Sequence, residues 1–171
     1  MGMFKKAVLL AVSVIAVAAC VPKAPDTTAD EAALKADPAA WFEAYNAGNA
    51  DGVANLYAED GILLAPGAPA VVGRAAIQEF IKSDIEKSKA AGLAFKLGDT
   101  TGVGVSGDLG WLSGTFSVTD ASGAAVDVGK FVSVYRRTNG KWQLIRDTWN
   151  SDKAPPAAAA PAATGAPAPA N

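Results

Sequence analysis

The chain predicts an α+β fold, and three observations predict it. Apolar residues recur at helical spacing in the first half, at Leu34, Trp41, Phe42 and Tyr45 and again at Ile77, Phe80, Ile81 and Ile85. After Gly92 the pattern turns to Gly, Val, Thr and aromatic residues with period-two stretches. Asn139-Gly140 then marks a hairpin, because both positions tolerate the positive φ of a two-residue turn. Helices first and an antiparallel meander afterwards is the α+β order.

Residues 32–47 read as the first helix, stopped at Gly48. Pro38 allows a later start, with Asp37 as N-cap and Pro38 at the first helical position. Asp51 is placed to cap a short second helix through Tyr57. Residues 61–65 read as a strand before the Pro66-Gly67 turn, and residues 74–91 as a third helix. Strands are expected near 94–104, 108–119, 126–138 and 141–150.

A two-residue turn at Asn139-Gly140 sets an expected register for the last hairpin. Lys130 then faces Trp149, and Val132 faces Asp147. Lys130, Val132, Val134, Ile145, Asp147 and Trp149 would share one face, mostly apolar and so expected to point inward. Lys130 and Asp147 would sit diagonally and could form an ion pair that orients a ligand or moves a proton. The bland reading of that pair is a register device or a rim pair. Trp41, Trp111 and Trp149 read as core or pocket wall. Tyr135, Arg137 and Arg146 are expected on the outer face, where they suit a polar dimer surface. Arg74 is expected to pair with Asp60 or a neighbouring carboxylate.

The flanks carry a different message. Lys5 and Lys6 precede an apolar run from Ala7 to Ala19, which ends in Val17-Ala18-Ala19-Cys20. A positive start, a short apolar stretch and small residues at the cut make a secretory signal. The last four residues resemble the lipobox of bacterial lipoproteins, with Cys20 as the lipidated first residue. Val21 rather than Asp after it, by the same resemblance, suggests the periplasmic face of the outer membrane. The expected organisation is a signal peptide over 1–19, a tether over 20–30, one domain over 31–152 and a disordered Ala/Pro-rich tail over 153–171.

Composition excludes several classes of chemistry. Less Lys5 and Lys6, the 15 Lys and Arg become 13 against 17 Asp and Glu, a net charge of −4. No basic cluster supports nucleic-acid binding. The chain has no histidine and one cysteine, so no Ser-His or Cys-His nucleophile pair exists. Zinc sites of the usual kind are excluded for the same reason. No metal or other cofactor is expected.

Three segments carry a resemblance. They are Trp41 to Asp51 followed by Leu56-Tyr57-Ala58-Glu59-Asp60-Gly61; Gly73-Arg74-Ala75-Ala76-Ile77; and the closing hairpin with Lys130 to Arg137, Gly140-Lys141-Trp142 and Asp147-Thr148-Trp149-Asn150. Together they resemble the nuclear transport factor 2-like superfamily, which includes SnoaL-like proteins and ketosteroid isomerases. The likeness is nearest to secreted or lipoprotein members of unknown function and covers about residues 31–152. It implies a curved antiparallel sheet wrapped round helices as a cone, with a pocket at the open end and an outer face that often makes a homodimer. A fold of this kind does not fix an activity.

Ketosteroid isomerases use an Asp base with a Tyr and a protonated Asp as oxyanion donors. By alignment on this resemblance those positions fall on Trp41, Ala65 and Val132, which lack the required groups. No acidic residue lies between Gly61 and Gly73. The leading expectation is therefore a lipid-anchored module that binds a small, partly apolar molecule without catalysing a reaction. Its pocket would use Trp41, Ala65, Trp111, Val132, Val134, Ile145 and Trp149. Two alternatives stay open. One is a SnoaL-like isomerase, cyclase or hydrolase with Asp147 as acid/base and Lys130 as its electrostatic partner. The other is a dimeric scaffold.

Overall fold

A computed structural model describes residues 25–153. Cys20, the expected lipidation site, the expected signal segment over 1–19 and the tail from residue 154 lie outside them. Helix α1 runs over Thr28–Ala47 and α2 over Ala50–Ala54; strand β1 spans Tyr57–Leu64 and β2 Val71–Val72. Helix α3 spans Arg74–Ala90, and strands β3 (Ala94–Ser106), β4 (Leu109–Thr119), β5 (Ala125–Thr138) and β6 (Lys141–Ser151) follow. The six strands form one curved, unclosed sheet in the order β2-β1-β6-β5-β4-β3. Every pairing is antiparallel except β1 with β6, which brings the first strand parallel to the last. The expected α+β class and its wrapped sheet are the architecture observed.

Helix α1 does not begin at Pro38. It runs through that residue from Thr28, and Pro38 is buried inside it. Proline costs the helix one backbone hydrogen bond. Burial of Leu34 and Tyr45 on the same stripe offsets that loss. Gly48, at φ 81°, ends the helix in the left-handed conformation that glycine adopts without strain. Helix α2 is shorter than expected and is capped by Asn49, whose side chain accepts from the Gly52 N–H, rather than by Asp51. Tyr57 consequently opens β1 instead of closing a helix. Helix α3 buries Ile77, Ile81 and Ile85, one residue per turn. Each such side chain contributes about 1.5–3 kcal/mol on burial.

The β5–β6 hairpin departs from the expected register at one point. Asn139 and Gly140 form the two-residue turn with φ of 52° and 76°. Near it the pairing is as expected, with Thr138 facing Lys141 and Tyr135 facing Leu144. A bulge at Ile145 then adds one residue to β6, so Val134 faces Arg146 and Ser133 faces Asp147. Beyond the bulge, β6 presents the opposite parity to the interior, and a one-residue shift of this kind exchanges the faces. Asp147 and Trp149 therefore share the concave face with Phe131, Ser133 and Tyr135. Lys130, Val132 and Val134 turn outward. Tyr135, expected outside, is 1 % exposed.

Arg137 is not a free surface residue either. Its guanidinium bonds Asp30 at 2.8 Å and Asp108 at 3.0 Å and lies 5.0 Å from the centre of the Trp142 ring. It fastens the start of α1 to the β3–β4 turn. Arg74 meets Glu59, and Asp60 is held by Arg136 instead.

Candidate functional site

The concave face of the sheet and the inner stripe of α1 enclose a cavity of about 440 Å³. Its deep end meets the buried residues Tyr135, Leu144 and Asp147; its outer end meets the half-buried Val126, Asp127 and Ser151. Between them the walls are mainly aromatic: Trp41, Phe42, Tyr45, Phe95, Phe131 and Trp149. Trp41 and Tyr45, one turn apart on α1, stack at 5.1 Å. Tyr45 meets the edge of Phe95 at 4.9 Å.

Asp147 anchors a chain of hydrogen bonds at the deep end. The Tyr57 hydroxyl donates to its Oδ2 at 2.6 Å, and Ser133 Oγ donates to its Oδ1 at 2.8 Å. The Trp41 indole N–H donates in turn to the Tyr57 oxygen at 3.1 Å. Burial pushes the Asp147 carboxyl above its ordinary value, and the Tyr57 and Ser133 donors oppose the shift. Tyr57 is pushed well up by burial and by the Asp147 charge, so it holds its proton and serves as a donor.

A second acid enters the cavity from α1. Asp37 lines it three residues after Leu34 and four before Trp41, on the helix's inner stripe. Its Oδ2 is buried and has no hydrogen-bond partner. Burial raises Asp37 to about 6, and the Asp147 charge adds to the rise. Tyr135 lies beside it and tempers the rise without reaching hydrogen-bond geometry with Oδ2. Two further acids line the walls already partnered: Asp84 accepts from Tyr45 at 2.6 Å, and Asp127 accepts from Ser151 at 2.7 Å.

Among the residues expected from the sequence, the cavity wall contains Trp41, Ala65, Asp147 and Trp149. It does not contain Lys130, Trp111, Val132, Val134 or Ile145. Lys130 is exposed and pairs with Asp152 across the strand edge, so it gives Asp147 no electrostatic partner. Trp111 lies on the outer face, 46 % exposed, over Gly102 and Gly104, where a Cβ would collide with its ring. Val132 is 43 % exposed on the same face. Ile145 forms the bulge. The β5 side chains that do face the cavity next to Val132 are Phe131 and Ser133, and neither is acidic. Sequence reasoning missed Asp37, Tyr57, Ser133 and Tyr135. Of these, Asp37 carried a signal only if α1 ran through Pro38, which sets this acid within the apolar stripe of the helix. Among the described residues no group of three or more potential metal ligands comes together.

A profile of the SnoaL-like domain matches residues 39–145, which include the aromatic stretch of α1, Tyr57 and most of the sheet. The chain belongs to the SnoaL-like domain family. The chain is also similar to an NTF2-like protein with a cystatin-like fold from Novosphingobium aromaticivorans, at 27 % identity and a TM-score of 0.64, over 71 % of this chain and 81 % of that one. A ketosteroid isomerase-like protein from Erwinia carotovora atroseptica matches at 23 % identity and a TM-score of 0.58, over 73 % and 98 %. An NTF2-like protein of unknown function from Pseudomonas putida matches at 22 % and 0.64, over 71 % and 86 %. The last two likenesses are of fold. No curated protein sequence matches the chain. This SnoaL-like domain thus has the cone of its family, with its lining acids arriving from α1, α3, β5 and β6.

Proposed function

We propose that this SnoaL-like protein binds a small, partly apolar molecule within the cone, at a membrane surface to which lipidated Cys20 holds it. The observation that carries the binding reading is the 440 Å³ cavity itself, with apolar walls and a fixed polar floor. Pockets of this design bury most of a small ligand and orient it with few polar groups. The Asp147 floor supports binding over reaction, because each carboxylate oxygen already has a donor and, among the described residues, no lysine lines the cavity.

The test is a titration of the full chain with phenylnaphthylamine, a neutral dye that brightens in apolar cavities. Ala65 lines the cavity, so Ala65→Phe occupies part of its space. Saturable brightening in the parent chain and its loss in a folded Ala65→Phe variant support the reading; equal brightening in both contradicts it. Membrane attachment is tested by Cys20→Ser, which should move the protein from the membrane to the soluble fraction. Unchanged attachment would contradict the anchor.

A second reading is proton transfer by Asp37. It is favoured by the unpartnered Oδ2 and by a carboxyl raised to about 6, near the pH at which an acid/base group works best. Under that reading Asp37→Asn abolishes turnover while the dye still binds.

A further inference from the structure

Among the described residues the cavity lining carries one sign of charge. Four carboxylates line it, from Asp37, Asp84, Asp127 and Asp147, and no described lysine or arginine does. The nearby cations already have partners, one of them at the outer end of the cavity. Lys130 pairs with Asp152, and the Lys153 ammonium donates to the Val126 carbonyl. Three of the four carboxylates have donors: Tyr45 on Asp84, Ser151 on Asp127, and Tyr57 with Ser133 on Asp147. Among the described residues only Asp37 presents a buried oxygen with none. A buried acceptor without a donor costs stability, and a ligand that supplies the donor recovers it.

The surroundings narrow the donor further. Aromatic faces from Trp41, Phe42, Phe131 and Trp149 line the same space, and such faces attract a cation and accept an apolar body. An anion entering would meet four acids and, among the described residues, no lining lysine or arginine. We infer that the cavity takes a small organic ammonium ion, an amine on an aromatic or aliphatic body, with its N–H groups on Asp37 and its apolar part against the aromatic walls. This inference rests on the binding reading above and specifies its ligand class.

Three matched probes test it on the full chain by calorimetry: naphthylmethylamine, naphthylmethanol and naphthoate. The amine should bind at least about tenfold more tightly than the alcohol, and naphthoate more weakly than either. Asp37→Asn should erase the amine's advantage and leave the alcohol unchanged, whereas Asp37→Glu, which keeps the charge, should retain part of it. Should Asp37→Asn fail to fold, the parent chain's pH profile carries the test. The titratable groups that act on Asp37 are Asp147 and Tyr135, and the tyrosine stays neutral. Amine affinity should therefore fall about tenfold from about pH 8 to about pH 4.5 as the carboxyls protonate, while the alcohol's stays level. Equal binding of amine and alcohol, or binding of naphthoate as tight as the amine, overturns the inference and leaves the cavity reading standing. If none of the three binds but phenylnaphthylamine does, the inference again fails alone. If no probe binds, both fall together.

Discussion

The Tyr57 hydroxyl donates to Asp147 across 2.6 Å, joining the first residue of β1 to a residue 90 positions later on β6. The parallel β1–β6 pairing makes this contact possible, because it seats the two strands side by side at the deep end of the cone. Tyr57 is completely buried and Asp147 is 7 % exposed, so the bond lies where competition from bulk water is weak. The bond is both a strut of the fold and the floor of the cavity.

Tyr57→Phe removes the donor and leaves the ring. Asp147 keeps only Ser133 as a side-chain donor, and the Trp41 indole loses its acceptor. The expected loss is about 1–3 kcal/mol in denaturant unfolding at neutral pH. With that donor gone, the Asp147 carboxyl should rise further, and the deficit should shrink as the pH is lowered and the carboxyl protonates. A deficit that grows on acidification would contradict this account.

Asp37 should make the protein less stable at neutral pH than in acid, other groups aside. Its carboxyl rises from 3.8 to about 6 on folding, so the folded state holds the proton more tightly. That contribution is fully present below the unfolded value and is lost as the pH rises through about 6. Asp37→Asn escapes the loss. It should be more stable than the parent chain by about 3 kcal/mol at about pH 7.5, with the gain fading below about pH 4. Unfolding curves for both chains at several pH values check the sign. A residue that costs the folded state stability fits a binding role.

Lys130 should prove dispensable to the cavity. Its ammonium and the Asp152 carboxylate are both about half exposed, and an exposed pair contributes about 0–1 kcal/mol. Lys130→Met should leave dye affinity unchanged within about twofold. A larger change would mean that Lys130 reaches the cavity after all.

The outer sheet face exposes Leu109, Trp111 and Val132, and Trp111 and Val134 pair directly across β4 and β5. Covered by a second copy, this face would bury apolar area that a lone chain leaves in water. Sedimentation of the parent chain should show a dimer, and Trp111→Glu should shift it toward monomer. A monomeric parent at micromolar concentration would contradict the pairing.

Much of the fold was legible. The isoleucines of α3 repeat once per turn, and Asn139-Gly140 specified its turn chemically, so these elements appear where they were expected. The inward face of the hairpin was not legible beyond Ile145. A bulge adds one residue without a marker such as glycine, and the alternation read through it assigned β5 the wrong face. That single residue took Lys130 and Val132 out of the site and brought in Ser133 and Tyr135. Asp37 was hidden for another reason. Pro38 offered a plausible helix start, which made Asp37 a cap, whereas packing of Leu34 and Tyr45 carries the helix through the proline. Tyr57 was assigned to a helix end because α2 stops after one turn.

The most direct test of the account is a crystal structure of the full chain grown with naphthylmethylamine. The account predicts the naphthyl ring between Phe131 and Trp149, with the ammonium within hydrogen-bond distance of Asp37. A cone closed by its own side chains, or a probe bound only on the outer sheet face, would contradict it.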